Sequence, residues 1–398
     1  MGDNVTETLA APVGTEAQRI GAAVRERRLA LGISQKSLAM TAALPAAQTV
    51  SEIEKGDREL KAVELVRVAR ALHVEPSELL GVETRTNADP RVLWRRGSRP
   101  LDRVREAQLL ERARRYAQLE QWCNEVAQRR LPDYEFNPAT ATYRDVEHLA
   151  ARVREEMKLG PVPERTLLRS LEEDFGVKVF FEHLDAESDG DCSAACVRSS
   201  EFGAAILMNA VEVPWRRLFS FAHELFHLVT WTAVEQTWAA SGATGVEEPS
   251  WYKRLESYAD TFAANVLMPE ESLTSRFDSK VRDGKISRSD IVQLAVEFGV
   301  STQALVFRLE TLRRLSRASR ELLLHDSSMQ AMRKALQPQS PPVRVPLPER
   351  FETLARSAYL RREVGKSIVA KYLERSVAEL ADLVLPAPDV GQAAITVT

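Results

Sequence analysis

The chain has 398 residues, 44% of them hydrophobic and 28% charged, with a net charge of −3. That length accommodates two or three domains with separate cores, and the composition is that of a globular protein, not a disordered or fibrous one. No apolar run approaches the ~20 residues of a membrane helix, the acidic first residues contain no apolar signal core, and Cys123, Cys192 and Cys196 supply no disulfide framework. The expectation is a cytoplasmic protein with no membrane partner. Cys192 and Cys196, spaced CSAAC, do not form a zinc knuckle.

Residues 15–82 carry the punctuation of five short helices. Thr15 and Gln18 fit a capping box, and Gly32 ends the first helix. Ser34 caps SQKSLAMTAA, Pro45 opens PAAQTVSEIEK, and Gly56 closes it. AVELVRVARAL then offers Val63, Leu65, Val66, Val68 and Leu72 as a buried stripe, and EPSELL makes a short fifth helix. The residues Ser34-Gln35…Leu38-Ala39, Val50-Ser51…Ile53-Glu54…Gly56 and GDRELKAVELVRVARAL resemble the lambda-repressor-like (Xre-type) helix-turn-helix. The resemblance implies that Gln35 bonds a DNA phosphate from a helix N-terminus, and that Ala47, Gln48, Thr49 and Glu52 face base edges in the major groove. It implies a double-stranded DNA operator and a possible homodimer reading two half-sites. The turn TAALPAAQ is one residue longer than the usual pattern and lacks its glycine, which leaves the register open by one position. Residues 16–82 hold ten Lys and Arg against nine acids, a weak electrostatic footprint for a DNA reader.

Residues 83–135 read as a basic helical connector, with eleven Arg against five acids between Arg91 and Arg130. From residue 136 the pattern is helix–helix–sheet–helix. YRDVEHLAARVREEM and TLLRSLEEDFG are helical, VKVFFEHL, SAACVRSS and GAAILMNA are strands, and VPWRRLFSFAHELFHLVTW is a long helix. On that helix His223 and His227 are four apart and share a face. Two imidazoles so placed can hold one Zn²⁺, and Glu224 can take a proton from a water activated there. WYKRLESYADTFAANVLMPEES is a second helix, with Glu256 and Asp260 one turn apart. Glu256 would complete a three-ligand site with a position left open, and Asp260 would accept the outer N–H of a ligand histidine. Glu247 and Glu248, beside Pro249 in a Gly-rich loop, are rival ligands.

The pair HELFHL…ESYADTFAANVLMP, with AAILMNA upstream and SDIVQLAVEFGVSTQALVFRLETL downstream, resembles the ImmA/IrrE family of zincin metallopeptidases over roughly residues 140–315. Tyr258 stands where an acidic residue is often found. The resemblance implies that His223, His227 and Glu256 are zinc ligands and Glu224 is the general base, within a domain of residues 136–315. It also implies that GAAILMNA is the sheet edge along which a peptide lies, and that ISRSDIVQLAVEFGVSTQALVFRL is a helical pair on the protease core. Residues 316–385 read as a helical C-terminal region, and 386–398 as a disordered tail.

The expected fold is mainly α: an N-terminal five-helix lambda-repressor-like domain, a small α+β zincin-like domain, and a helical C-terminal region. The expected function is that of a DNA-binding transcriptional regulator with a zinc endopeptidase domain. Its substrate would be a specific regulatory protein, namely a repressor, an antitoxin-like partner, or the chain itself. The alternative is a transcription factor using the zincin fold to sense a ligand or partner without proteolysis.

Overall fold

A computed structural model of the chain describes residues 15–81, 90–95, 103–163, 166–184, 192–241, 251–336, 345 and 347–380. The expected tail at 386–398 and the rival ligands Glu247 and Glu248 lie outside the described residues. The chain divides into two compact units, the first of Met1–Asp89 with Leu101–Arg112, the second of Pro90–Pro100 with Ala113–Thr398.

The first unit contains α1 (Glu16–Ala30), α2 (Gln35–Thr41), α3 (Ala47–Lys55), α4 (Ala62–Ala71) and α5 (Pro76–Leu79). The Thr15–Gln18 capping box is present, Ser34 accepts from the Ser37 N–H to cap α2, and Gly56 ends α3 at φ +77°. Val24, Leu38, Val50, Ile53, Val68 and Leu72 form its core. α1 crosses α3 at Gly21, where a Cβ would lie 2.1 Å from the Ile53 carbonyl oxygen. The predicted stripe on α4 is corrected: Val63 and Val66 are 69% and 56% exposed. At ~100° per residue they fall on the face opposite Leu65, Val68, Ala69 and Leu72, which the period of 3.6 brings together. The turn between α2 and α3 has no glycine, and Ala43 takes the left-handed conformation there, at φ +50°.

The second unit is built on a four-stranded mixed sheet of β1 (Leu93–Arg95), β2 (Lys178–Glu182), β3 (Ala194–Ser199) and β4 (Gly203–Asn209), in the order β1-β3-β4-β2. β3 and β4 form an antiparallel hairpin from Ala194↔Met208 to Ser199↔Gly203, β2 runs parallel to β4, and β1 pairs antiparallel with β3 through Leu93↔Cys196. GAAILMNA is therefore an interior strand, not the expected edge: both its neighbours occupy its backbone groups, and Ala204 through Asn209 are buried. β1 falls within the segment read as a helical connector, ahead of the 21-residue α6 (Arg103–Cys123).

α7 (Tyr143–Glu156) and the short α8 (Leu167–Arg169), continued by a π-helical turn at Ser170–Asp174, lie between β1 and β2 in sequence. α9 (Pro214–Val229) packs on β3 and β4, and α11 (Tyr252–Leu267) packs on α9 and α7, with α10 (Trp231–Ala240) between them in sequence. α12 (Glu270–Lys280), α13 (Arg288–Glu297), α14 (Thr302–Thr311), α15 (Arg317–Leu324) and α16 (Ser328–Leu336) follow. α13 and α14 bury Ile291, Leu294, Leu305 and Leu309, and Arg308 ties α14 to α11 through Asn265 Oδ1 at 2.7 Å. No single described helix is long and apolar enough to cross a membrane. α17 (Glu349–Leu360) and α18 (Lys366–Tyr372) end the described chain. Phe351 of α17 meets Tyr116 of α6 edge-on at 5.3 Å, and Glu120 of α6 pairs with both Lys178 and Arg350.

Candidate metal centre and nucleic-acid interface

α9 is apolar on most of its circumference, so the whole helix is drawn into the interior. Leu218, Phe221, Ala222, Leu225, Phe226, Leu228 and Val229 are all buried, and a proline at its first turn starts it without wasting a backbone N–H. That burial carries His223, Glu224 and His227 with it, at 1%, 0% and 2% exposure. One helical turn separates the histidines, so both rings reach the same side and meet α11.

There the donor atoms converge. His223 Nε2 lies 3.2 Å from Glu256 Oε2, His227 Nε2 lies 3.2 Å from Glu256 Oε1, and the two Nε2 atoms are 3.3 Å apart. A tetrahedral ion held at ~2.0–2.1 Å has donors roughly 3.3–3.4 Å from one another, which is the spacing of the two Nε2 atoms, and each imidazole has one oxygen of the Glu256 carboxylate at a similar distance. His223, His227 and Glu256 are a group that can hold a metal ion. The donor set fits in a second respect. His223 Nδ1 is 2.9 Å from Asp260 Oδ1, an acceptor that favours the Nδ1–H tautomer, in which the Nε2 lone pair is the one that can take a cation.

Charge in the site follows from these contacts. Burial alone would lower the His223 pKa, but the Asp260 and Glu256 carboxylates outweigh it and raise it. Burial alone would raise Glu256, but the His227 and His223 imidazoles hold it well below the usual carboxylate range. Glu224 has neither a cation nor an amide on its carboxylate oxygens among the described residues, and His227 Nδ1 has no partner among them either. Unpaired buried polar atoms are costly and point to a ligand or a reaction that uses them. The Cys196 thiol on β3 faces this carboxylate, and burial, then Glu224, push its pKa well above the ordinary thiol value.

One residue at the site has no counterpart in the sequence reading. Arg95, on β1 and 8% exposed, donates from Nη1 to Ser220 Oγ at 2.6 Å and from Nη2 to Asp260 Oδ1 at 3.2 Å. Its partners lie 125 and 165 residues away in sequence, so no local spacing announces them.

In the first unit, Ala47, Gln48, Thr49 and Glu52 lie on α3 while Val50, Ile53 and Glu54 are its buried residues. Gln48 is exposed, and its amide donates to Glu52 Oε1 at 3.2 Å. Gln35 opens α2, but its Nε2 donates to the buried Glu54 at 2.8 Å, leaving one amide hydrogen and its backbone N–H for any phosphate.

Comparisons with known proteins bear on both units. A family model described as the IrrE N-terminal-like domain of Peptidase M78 matches residues 172–310, and a helix-turn-helix model matches residues 24–79. No curated relative matches the chain. Among solved structures, a Mycobacterium tuberculosis transcriptional regulator aligns at 17% identity over 52% of this chain, with a TM-score of 0.31. This chain covers 54% of that structure's length. Bacillus thuringiensis PlcR, in complex with the peptide PapR7 and DNA, aligns at 12% identity over 92% of this chain and 91% of its own, with a TM-score of 0.15. The apo form of ComR from S. thermophilus aligns at 14% identity over 81% of this chain and 95% of its own, with a TM-score of 0.16. The two family models thus match separate parts of the chain, a helix-turn-helix in the first unit and an IrrE N-terminal-like domain of Peptidase M78 in the second.

Proposed function

We propose that the chain is a cytoplasmic, DNA-binding transcriptional regulator whose second unit is a zinc endopeptidase acting on one specific regulatory protein: a repressor, an antitoxin-like partner, or a copy of itself. The observation that carries this reading is the buried Glu224 carboxylate, with no cation or amide on its oxygens among the described residues, beside the converging donors of His223, His227 and Glu256. His223, His227 and Glu256 would be the zinc ligands, with the fourth position open. Zinc bound there supplies Lewis acidity to the peptide carbonyl and to the attacking water.

The protein's own groups do the rest. Glu224 accepts the proton of the attacking water and returns it to the departing amine, and among the described residues only the weakly donating Cys196 thiol faces its oxygens. Asp260 holds His223 in the tautomer that ligates through Nε2. A structural ion is closed in by four protein ligands, whereas three ligands with an open position beside a carboxyl group suit hydrolysis. In the first unit, Ala47, Gln48, Thr49 and Glu52 of α3 face the bases of a DNA operator and the N-terminus of α2 faces a phosphate.

The test compares the N-terminal peptides of all proteins in cells expressing the wild type with those in cells expressing Glu224→Gln, with zinc content measured on both purified proteins. A new terminus present only with the wild type is expected, at equal zinc content, and it names the substrate. Identical sets of termini at equal zinc would replace the protease by a sensor built on the same fold.

A further inference from the structure

We infer that Arg95 is a positioning residue of the metal centre: by bridging Ser220 and Asp260 it holds the Asp260 carboxylate on His223 Nδ1, and thereby keeps His223 Nε2 aimed at the ion. The inference rests on the zinc reading above and assigns a role to a strand outside the HExxH and Glu256 helices.

Asp260 has 44% of its side chain exposed, so burial does not choose its rotamer and water competes for its oxygens. Hydrogen bonds must fix it. The same atom, Oδ1, receives both His223 Nδ1 at 2.9 Å and Arg95 Nη2 at 3.2 Å. Arg95 itself is well anchored: its side chain is 9% exposed, its other arm reaches Ser220 at 2.6 Å, and the Phe219 ring lies 5.4 Å from the guanidinium carbon.

Ser220 precedes His223 by three residues on α9, and Asp260 follows Glu256 by four on α11. One guanidinium therefore ties together the two helices that carry the ligands, within a turn of each. A planar fork with several N–H groups suits two acceptors at fixed separation, where a lysine ammonium on its flexible stem does not. The position of the fork is set by strand pairing: Leu93 and Arg95 pair with Cys196 and Ala194, Val92 and Leu93 are buried, and Arg91 stacks 4.2 Å above Trp238. An ion pair with so exposed a carboxylate adds little stability. Its consequence is geometric, because a carboxylate fixed on the outer N–H of a ligating histidine fixes the ring as well.

The experiment measures zinc affinity of the full chain by competition with a chromophoric chelator, for wild type, Arg95→Gln, Asp260→Ala and the double variant. Asp260→Ala is expected to weaken zinc by about 10–100-fold, and Arg95→Gln by a smaller ~3–10-fold. Because Arg95 acts through Asp260, Arg95→Gln should change affinity by less than about 2-fold once Asp260 is alanine. The visible spectrum of the cobalt-substituted protein should shift in Arg95→Gln and be the same for Asp260→Ala and the double variant. Equal losses in both backgrounds would mean that Arg95 only docks β1, and would overturn the inference. Should Arg95→Gln fail to fold, Ser220→Ala removes the anchor while leaving β1 in place. It should weaken zinc only when Asp260 is present, and a loss independent of Asp260, or no loss, counts against the inference. A wild type that binds no zinc would overturn the metal-centre reading itself, whereas zinc binding that depends on Asp260 but not on Arg95 would overturn this inference alone.

Discussion

Glu54 in the first unit and Glu224 in the second are both helical glutamates shut away from water, 9% and 0% exposed. Their surroundings are opposite. Glu54 receives Arg28 Nε at 2.5 Å on one oxygen, and Arg28 Nη2 at 3.1 Å and Gln35 Nε2 at 2.8 Å on the other. Glu224 has no cation or amide donor on either oxygen among the described residues, and only the weakly donating Cys196 thiol faces it. The first arrangement is closed: it locks α1, α2 and α3 together and offers nothing to a ligand. The second leaves a desolvated carboxyl group available, which is costly for a folded protein and useful for proton transfer. Burial alone does not separate a structural charge from a chemical one; the number of partners does.

The sharpest way to break that comparison is to apply the same substitution to both. Glu54→Gln leaves the Arg28 guanidinium buried without its counter-charge, which should cost the first unit about 3–5 kcal/mol. Glu224→Gln in the zinc-free protein replaces a carboxyl group that holds no cation or amide, and the second unit should change by less than ~1 kcal/mol or gain stability. Residue-resolved hydrogen exchange reads the two units separately in the intact chain. Comparable losses at both positions would show that Glu224 has partners after all and would weaken its assignment as the base.

Next in size is Gly21→Ala. The added Cβ would stand 2.1 Å from the Ile53 carbonyl oxygen, a backbone atom that cannot swing aside, so α1 and α3 must separate. Overpacking of this kind costs about 1–3 kcal/mol. Since Glu54 follows Ile53, the Arg28–Glu54 contact should open with it. The expected result is faster exchange across α1 and α3, with zinc affinity of the second unit unchanged.

The site was legible in sequence because its chemistry is written at helical spacing: His223 to His227 and Glu256 to Asp260 are each one turn, and each lies inside a helix long enough to show its period. The helices of the first unit were legible for a similar reason, since Thr15, Ser34 and Gly56 mark their ends. What was missed is what depends on distant pairing. LWR is too short to show alternation, and β1 exists because Leu93 and Arg95 find β3 a hundred residues later. The interior place of β4 follows from sheet order, which local sequence does not encode. Val63 and Val66 looked like core because they are apolar, but the helical period turns them outward.

A half-buried acid, Glu172, sharpens the comparison from the other side. Glu172 is away from the metal centre, and burial raises its pKa to about 7, with Arg350 partly offsetting and Glu173 adding to the shift. Its folded-state pKa is above the unfolded value, so the folded form binds the proton more tightly. The resulting stability is full below about pH 4.5 and is lost as pH rises through about 7. Glu172→Gln should therefore stabilise the second unit at about pH 8 by roughly 1–2 kcal/mol, discounted for partial exposure, and by almost nothing near pH 4. Zinc affinity and any proteolysis should stay as in the wild type, because this acid pays the cost of burial without facing the donors. A loss of either would show that an unpaired acid in this fold need not sit at the centre to serve it.

The smallest effect lies in the turn before α3. Ala43 holds φ +50° where a glycine would be unstrained, and its carbonyl accepts Arg67 Nη1 at 3.2 Å. A left-handed alanine costs about 1–2 kcal/mol, while a glycine there loses roughly 0.4–1 kcal/mol more entropy on folding, so the two nearly cancel. Ala43→Gly should thus stabilise the first unit by about 0.5 kcal/mol, seen as slower exchange in α2 and α3. Its effect on operator affinity is the informative part. The Arg67 contact is to a backbone carbonyl that glycine keeps, so the path of the turn should survive and with it the placement of Ala47, Gln48, Thr49 and Glu52. Unchanged DNA affinity with a modest gain in stability would mean that the longer, glycine-free turn sets the register of α3 by its length and by Arg67. A loss of affinity despite higher stability would mean that the alanine itself, by restricting the turn, keeps α3 in the orientation that DNA requires.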